Sequence, residues 1–257
     1  MIRLFLAELR RQWIQLRRYA TEAIAGIIGI TIAFYGLFLT TGYVAGPAAQ
    51  LGERQDAIVV GYVLWSLVVF IIADIAGGLQ QEALTGTLEQ IFLSPYKASQ
   101  VFITRALANL SIQLLQNLGV LLIIMTLTGS NLVFPPSLLL PLVTVLLGAY
   151  GLALIVGSLA LLLKRVQQLL GFLPFGLVIA LMVPIETWSG WTQYLGWLLP
   201  MTPGAGVLRG LMARGQSLDW GLFAIALVNG VGYFAIGLFL FNYAERIAKQ
   251  RGKLGGY

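Results

Sequence analysis

Six separate stretches of about 20 or more mostly apolar residues constrain the fold of this chain more than any other feature of its sequence. Each is long enough to cross the hydrocarbon core of a bilayer as a helix. Backbone groups in lipid must hydrogen-bond internally, and these runs do not alternate as barrel strands do. We therefore predict an all-α integral membrane protein with six transmembrane helices. The predicted spans are 23–42, 58–79, 106–128, 138–163, 166–185 and 220–243.

The composition supports a lipid environment for these stretches. Only 10% of the residues are charged, whereas soluble domains carry about 25%. The chain has no Cys and no His, which excludes disulfides and removes the commonest general base and metal ligand. We therefore predict no catalytic residue, no metal site and no enzymatic activity for this chain by itself. The net charge of +6 is expected at the ends of spans, so nucleic acid is not an expected partner.

Basic residues are distributed unevenly between the two sets of connecting segments. Thirteen Lys and Arg fall in one set and three in the other, and such an excess marks the cytoplasmic side. We therefore predict that both termini are cytoplasmic and that residues 1–257 form a single transmembrane domain. The predicted cytoplasmic set is Arg3, Arg10, Arg11, Arg17, Arg18, Lys97, Arg105, Lys164, Arg165, Arg246, Lys249, Arg251 and Lys253, and the opposite set is Arg54, Arg209 and Arg214.

Residues 1–20 carry an amphipathic helical pattern. Apolar residues recur at helical spacing, and Arg and Glu residues occupy much of the remaining surface. A helix of this kind lies in the headgroup plane, so we predict an interfacial helix. It either orients the first span as an anchor or acts as a lever that responds to a cytoplasmic partner. The apolar positions are Ile2, Phe5, Leu6, Leu9, Trp13 and Leu16.

Residues 80–100 predict a short amphipathic helix on the cytoplasmic side. Thr87 begins it as a capping residue with Gln90 three positions later, and Pro95 ends it. This helix either rests on the membrane or docks its apolar face on a partner. The apolar face consists of Leu88, Ile91 and Phe92.

The third predicted span carries several polar side chains along one helical face. Such groups are costly in lipid, so this face is expected to point into the bundle. It either packs against another helix or lines a translocation path. We also predict an ion pair between Asp74 and Arg105, which would offset part of their burial cost. The polar positions are Arg105, Asn109, Gln113, Gln116 and Asn117.

Residues 186–219 are partly apolar and rich in Trp, Gly and Pro. Aromatic residues of this kind settle at membrane–water interfaces. We predict interfacial or re-entrant helices on the outer face before the last span; the alternative is a seventh span broken by proline. The marker residues are Trp188, Trp191, Trp197, Pro200 and Pro203.

Two motifs in this topology resemble the permeases of type-2 ATP-binding-cassette exporters. The first is E-x-x-x-G-T-L-E, here Glu82, Gly86, Thr87, Leu88 and Glu89; the second is P-x-T-P with a later L-R, which includes Pro200, Pro203 and Arg209. The resemblance implies a coupling segment that docks on a separate ATPase, carried by Glu82, Gly86, Thr87, Leu88, Glu89, Ile91 and Phe92. It also implies two permease subunits, either two copies or one copy and a homologue, with two ATPases that bind ATP and Mg, and a path along the permease–permease interface.

We therefore expect an exporter subunit in a bacterial plasma (inner) membrane that moves a lipid or an amphipathic, drug-like molecule and binds no cofactor itself. The sequence contains no G-x-x-x-x-G-K-[ST] loop for ATP phosphates. The alternatives are an ion-coupled secondary transporter, for which Asp74 and Glu186 are the candidate groups, and a permease that exports polysaccharide. A membrane enzyme and a non-transporting anchoring subunit are further rivals.

Overall fold

The computed structural model describes residues 2–45, 52–85, 98–163 and 167–250, which consist of helices and the turns between them and contain no strand. Ten α-helices follow one another along the described chain. They are α1 (Ile2–Arg18), α2 (Ala20–Ala45), α3 (Gly52–Ile72), α4 (Gly78–Thr85), α5 (Ala98–Thr128), α6 (Leu139–Leu163), α7 (Gln167–Met182), α8 (Trp191–Leu198), α9 (Thr202–Ala213) and α10 (Trp220–Gln250).

Five helical segments are long and apolar enough to cross a membrane, as predicted for five of the six stretches. They are 20–39, 55–82, 103–128, 136–162 and 220–248. The fifth predicted span is present as α7, which has 16 residues and is therefore about 24 Å long. It is apolar but shorter than the other five.

A π-helical turn, Ala73–Gly77, joins α3 to α4 within one of these long segments. The backbone N–H of Gly78 donates to the carbonyls of both Asp74 and Ile75. Such turns contain i→i+5 bonds and are frequent at functional sites. This turn places a carboxylate, Asp74, inside an otherwise apolar segment.

The closest packing in the bundle is between α6 and α10, where two glycines meet. A Cβ added at Gly151 would collide with the backbone of Tyr233, and one added at Gly237 would collide with the backbone of Gly151. The absence of side chains at both positions lets the two helices approach closely, as small residues do in membrane bundles. On the same helix Ala149 and Ala153 are fully buried.

Helices α1 and α2 lie at one margin of the bundle. Tyr62 on α3 donates a 2.7 Å hydrogen bond to the carbonyl of Ile30 on α2, and its ring packs edge-on against Phe34. Most of the apolar surface of α2 remains exposed, including Ile24, Ile28 and Ile32. In a membrane this surface faces lipid or another protein chain.

The segment before the last long helix forms two short helices, α8 and α9. Residues Thr202 to Met212 of α9 are all buried, in contact with α3, α6 and α10. A helix with this burial lies inside the bundle. By contrast α8 has exposed aromatic residues, including Trp191 and Tyr194.

Candidate functional site

Three charged side chains from three helices meet at one end of the bundle, which we call the α1 end. Arg105 on α5 forms an ion pair with Glu82 on α4, and its Nε lies 3.7 Å from a carboxylate oxygen of Glu8 on α1. The exposed fractions of these side chains are only 23%, 17% and 14%, so solvent screens the pairs weakly. These three residues, Glu8, Glu82 and Arg105, are called the ion cluster below. They connect α1 to the two helices that flank residues 86–97.

Glu82 is the one predicted coupling residue that lies in the described ranges. It occupies the last turns of α4, three residues before the helix ends at Thr85, and its carboxylate belongs to the ion cluster. The other predicted coupling residues lie outside the described ranges; they are Gly86, Thr87, Leu88, Glu89, Ile91 and Phe92.

Asp74 and Arg105 contact other residues instead of forming the predicted ion pair. The side-chain amide of Asn109 donates a 2.6 Å hydrogen bond to Asp74, while Arg105 belongs to the ion cluster. The register of the two antiparallel helices explains the difference. Ser66 and Asn117 pair in the same way eight residues along from Asp74 and Asn109. Arg105 lies one helical turn before Asn109 on α5. Because the helices are antiparallel, Arg105 is therefore opposite a position one turn after Asp74, closer to Glu82.

The polar face of α5 is divided between a packed part and an open part. Asn117 is buried; it accepts a 2.7 Å hydrogen bond from Ser66 and donates one of 3.0 Å to the carbonyl of Val63. These bonds join α5 to α3, as polar pairs do in membrane bundles. Gln113 and Gln116 are partly exposed instead, and both line a cavity.

This cavity lies between α1, the start of α2, the π-helical turn and α5. Its volume is about 470 Å³, large enough to hold several waters or a polar group of a ligand. α1 and the turn after it contribute Gln15 and Tyr19, and α2 contributes Glu22. The π-helical turn contributes Asp74, and α5 contributes Asn109. We call it the α1 cavity. It brings together the predicted polar face of α5 and the amphipathic N-terminal helix.

A second charged group lies at the opposite end of the bundle, before α8. Two nitrogens on one edge of the Arg209 guanidinium, Nε and Nη2, donate to Glu186 at 2.9 and 2.6 Å, and Arg214 adds a 3.0 Å bond to the same carboxylate. Arg209 has no exposed surface, and Glu186 is 9% exposed. A third guanidinium nitrogen of Arg209 donates to the carbonyl of Leu181 at the end of α7. Arg209 thereby joins α9 both to the turn that contains Glu186 and to the end of α7.

Two opposing effects act on the pKa of Glu186. Burial alone would raise this pKa, but the hydrogen bonds and positive charge of Arg209, supported by Arg214, outweigh burial and hold the pKa below its ordinary value of 4.5. The carboxylate is therefore charged at neutral pH. Arg209 consequently has a permanently charged partner in a buried position.

Asn229 on α10 fixes the entry to α9. Its side chain accepts a 3.1 Å hydrogen bond from the backbone N–H of Met201 and donates to the carbonyls of Trp197 and Leu199. Met201 has a φ of 66°, a conformation that costs a non-glycine residue about 1 kcal/mol or more. The three bonds from one side chain hold this turn in place.

The predicted outer-face residues are distributed between surface and core. Trp188 and Trp191 are 39% and 73% exposed, which fits an interfacial position. Trp197 is partly buried, as is Pro200. Pro203 is buried in the first turn of α9, where its missing N–H would be unpaired in any case.

Two residues central to these sites were not singled out for these contacts by the sequence patterns. Glu186 is the buried partner of Arg209. The sequence indicated Glu186 only as a candidate group for binding a coupling ion. Glu8 joins the ion cluster from the polar side of α1. A search for opposite charges at the ends of apolar stretches would have indicated both, because charges there are costly unless paired. In the described ranges, no acidic residues group closely enough to hold a metal ion.

Comparison with known proteins identifies a family for most of the chain. Residues 3–213 match the family model described as ABC-2 type transporter. The match spans α1 through α9 and so contains the ion cluster, the α1 cavity and the pair between Glu186 and Arg209. No curated protein matches the chain.

Proposed function

Because the chain belongs to the ABC-2 type transporter family, we propose that it is the membrane subunit of an ATP-driven exporter whose ATPase is a separate polypeptide. In this proposal two permease subunits, either two copies or one copy and a homologue, assemble with two cytoplasmic ATPases. ATP and Mg bind to the ATPases. The permeases alternate between inward-open and outward-open conformations, whose populations nucleotide binding shifts.

The proposed topology has six spans and both termini in the cytoplasm of a bacterial plasma membrane. Five spans are the long apolar segments, and α7 is the sixth. A helix of 16 residues crosses a bilayer that thins locally or meets water at one end. The excess of thirteen basic residues over three supports this orientation. The α1 end is then cytoplasmic, and α8 and α9 lie toward the outside.

The ion cluster is the observation that supports coupling most directly. Glu82 belongs to the helix that leads into the predicted coupling segment, and Arg105 belongs to the helix that follows that segment. Glu8 connects both to the amphipathic helix α1. A displacement of residues 86–95 by an ATPase would therefore act on α4, α5 and α1 together. This arrangement favours the lever role of α1 over a simple anchor.

The proposed substrate is a lipid or an amphipathic, drug-like molecule. Exposed apolar surface on α2 would suit the passage of an apolar group between two permease subunits. The polar α1 cavity, elsewhere in the bundle, would suit a polar group. An amphipathic molecule has both.

Deletion of residues 86–89 tests the coupling proposal. We expect that the affinity-tagged wild-type chain retains the ATPase on purification in mild detergent, and that the deletion variant loses it because four residues of the proposed docking segment are missing. A chain lacking residues 254–257 serves as a control of equal size and should retain the ATPase. If the 86–89 variant retains the ATPase with full ATP hydrolysis, docking through this segment is wrong.

The location of Asp74 supports a second candidate function, an ion-coupled transporter. This carboxylate lies inside an apolar segment and lines the α1 cavity, and ionisable groups within spans often bind coupling ions. The two candidates differ in their energy source. Substrate flux into vesicles driven by a proton gradient without ATP would favour ion coupling, and flux that requires the ATPase and ATP would exclude it.

A further inference from the structure

We propose that an apolar cavity between α3, α5 and α9 binds the end of a hydrocarbon chain of a bilayer phospholipid, which enters from the side between α5 and α6. We call it the chain cavity. This inference goes beyond the proposed function, because it concerns a single subunit in its membrane and needs no ATPase. The lining of the cavity, its size, its depth and the gap between α5 and α6 support it.

The lining of the chain cavity offers almost no partner to water or to a polar head group. All the described residues that line it are apolar except Asn117. The side-chain amide of Asn117 is already engaged, since its Oδ1 accepts from Ser66 and its Nδ2 donates to the carbonyl of Val63. A buried water needs about two to four polar partners. The cavity therefore favours hydrocarbon over water.

The size of the chain cavity suits several methylene groups. Its volume is about 170 Å³, and a cavity of about 150 Å³ lined by Leu, Ile and Phe stays dry and binds benzene. If the cavity were empty, the atoms of its walls would lose dispersion contacts on one side. The end of an alkyl chain would restore those contacts.

The chain cavity lies at the depth of the hydrocarbon core and opens sideways. Val60 and Leu67 on α3 line it about 8 and 18 Å along the helix from Gln55, where this candidate span begins. The lining residues from α3 and α9 are all buried, whereas Leu118 on α5 and Phe134 after it are 48% and 45% exposed. The opening is therefore on the side of α5 and α6, where the solvent at this depth is lipid. The buried lining residues, called the deep wall below, are Val60, Val63, Leu64, Leu67, Leu208 and Met212.

The consecutive helices α5 and α6 are held apart, which leaves this opening between them. α5 packs against α1, α2 and α3, and α6 packs against α3, α9 and α10, but α5 and α6 barely touch each other. The hydroxyl of Tyr150 on α6 donates a 3.1 Å hydrogen bond to the carbonyl of Ala106 on α5. The N–H of Val133, between the two helices, donates one of 2.9 Å to the carbonyl of Met212. Lipid tails are as apolar as Leu, so no hydrophobic force closes such a gap in a membrane.

A bound chain would contact α9 beside its buried ion pair. Leu208 and Met212 belong to the deep wall, and Leu208 directly precedes Arg209, which bonds Glu186. Hydrocarbon in the cavity would therefore be part of the packing that holds α9 inside the bundle.

Photolabelling of the full-length chain in phosphatidylcholine nanodiscs tests the proposal without ATPase or ATP. One probe is a phosphatidylcholine with a diazirine near the end of an acyl chain, and the other has the diazirine on its head group. Labelled residues are located by mass spectrometry. We expect the chain probe to label Leu64, Leu67 and Leu208, which a lipid on the outer surface of the bundle does not reach, and the head-group probe to leave them unlabelled. A deep wall that the chain probe does not label, or that both probes label equally, would overturn the proposal.

Filling the cavity provides the second arm of the test. Leu114→Trp enlarges a lining side chain, and we expect labelling of the deep wall to fall at least about fivefold, because a filled interior has no room for further atoms. Leu115→Trp is the matched control, because Leu115 is the next residue on α5, is 55% exposed and does not line the cavity; it should be labelled as the wild type is. Should Leu114→Trp fail to fold, Leu142→Phe on the α6 side of the cavity replaces it with the same expectation.

Equal labelling of the deep wall in the lining variant and in the control would overturn the proposal. Failure of an ATPase to co-purify with the chain, with labelling of the deep wall intact, would contradict the proposed function alone.

Discussion

Arg209 has no exposed surface, and two of its nitrogens bond the two carboxylate oxygens of Glu186 at 2.9 and 2.6 Å. The pair joins the buried helix α9 to the 3-10 turn Ile185–Thr187 that follows α7. A planar guanidinium matches a carboxylate at two points, which Lys would not do. The position of α9 in the bundle therefore depends on this geometry.

Glu186→Gln should lower the free energy of unfolding by about 3–5 kcal/mol, because it leaves the buried charge of Arg209 without its ionised partner. The measurement is thermal or denaturant unfolding of the purified chain in detergent. The double variant Glu186→Leu/Arg209→Met removes both charges and should lose much less stability than Glu186→Gln. Equal losses in the two variants would show that the charge pairing does not matter.

The lowered pKa of Glu186 predicts a pH dependence of stability. The unfolded chain takes up a proton near pH 4.5, before the folded chain does. The stabilisation from the pair is thus complete above this pH and is lost as the pH falls through the lowered folded pKa. The difference in melting temperature between wild type and Glu186→Gln should narrow as the pH is lowered from about 6 to about 3. A difference that stays constant over this range would contradict the assignment.

Arg105→Gln should uncouple ATP hydrolysis from transport, because it removes the cation that joins Glu8 and Glu82. We expect transport per ATP hydrolysed to fall several-fold in proteoliposomes that contain the permease and its ATPase. Arg11→Gln is the control: Arg11 is 45% exposed and contacts Glu8 alone in the cluster, and exposed pairs contribute about 0–1 kcal/mol. If Arg105→Gln transported as much substrate per ATP hydrolysed as the wild type, the lever role of α1 would be contradicted.

The contact between α6 and α10 predicts different outcomes for two glycines of the same helix. Gly237→Ala should destabilise the chain by about 1–3 kcal/mol, since the added methyl group collides with the backbone of Gly151. Gly232→Ala is the matched control: nothing lies within 4 Å of a Cβ there, and Ala favours a helix by up to about 1 kcal/mol. Unfolding in detergent distinguishes the two, and equal stability would contradict the packing.

The long helices could be predicted from the sequence, because the length of an apolar stretch indicates a helix that can span a membrane. The last predicted span, 220–243, begins at the same residue as α10, and polar residues continue that helix to Gln250. Residues Ile2–Arg18, within the amphipathic stretch, form a separate helix, α1; its interfacial position stays a prediction. The predicted fifth span, 166–185, is shorter in the structure, because α7 ends at Met182 and a 3-10 turn follows. Hydropathy does not reveal such an end.

Side-chain partners could not be predicted in the same way, because they depend on the register between helices. The sequence places Asp74 and Arg105 near the same ends of neighbouring helices. In the structure the two helices are offset by one turn, so that Asp74 bonds Asn109 and Arg105 bonds Glu82. The same holds for packing. The close backbone approach of α6 to α10 at Gly151 is a further example.

The most direct test of the central claim is the composition of the complex that the tagged full-length chain brings out of its native membrane. We predict that it co-purifies with a polypeptide that has a phosphate-binding loop, in a ratio of about one ATPase to one permease, and that the complex hydrolyses ATP. A chain that purifies without any such polypeptide, and that moves its substrate in vesicles on a proton gradient alone, would contradict the account.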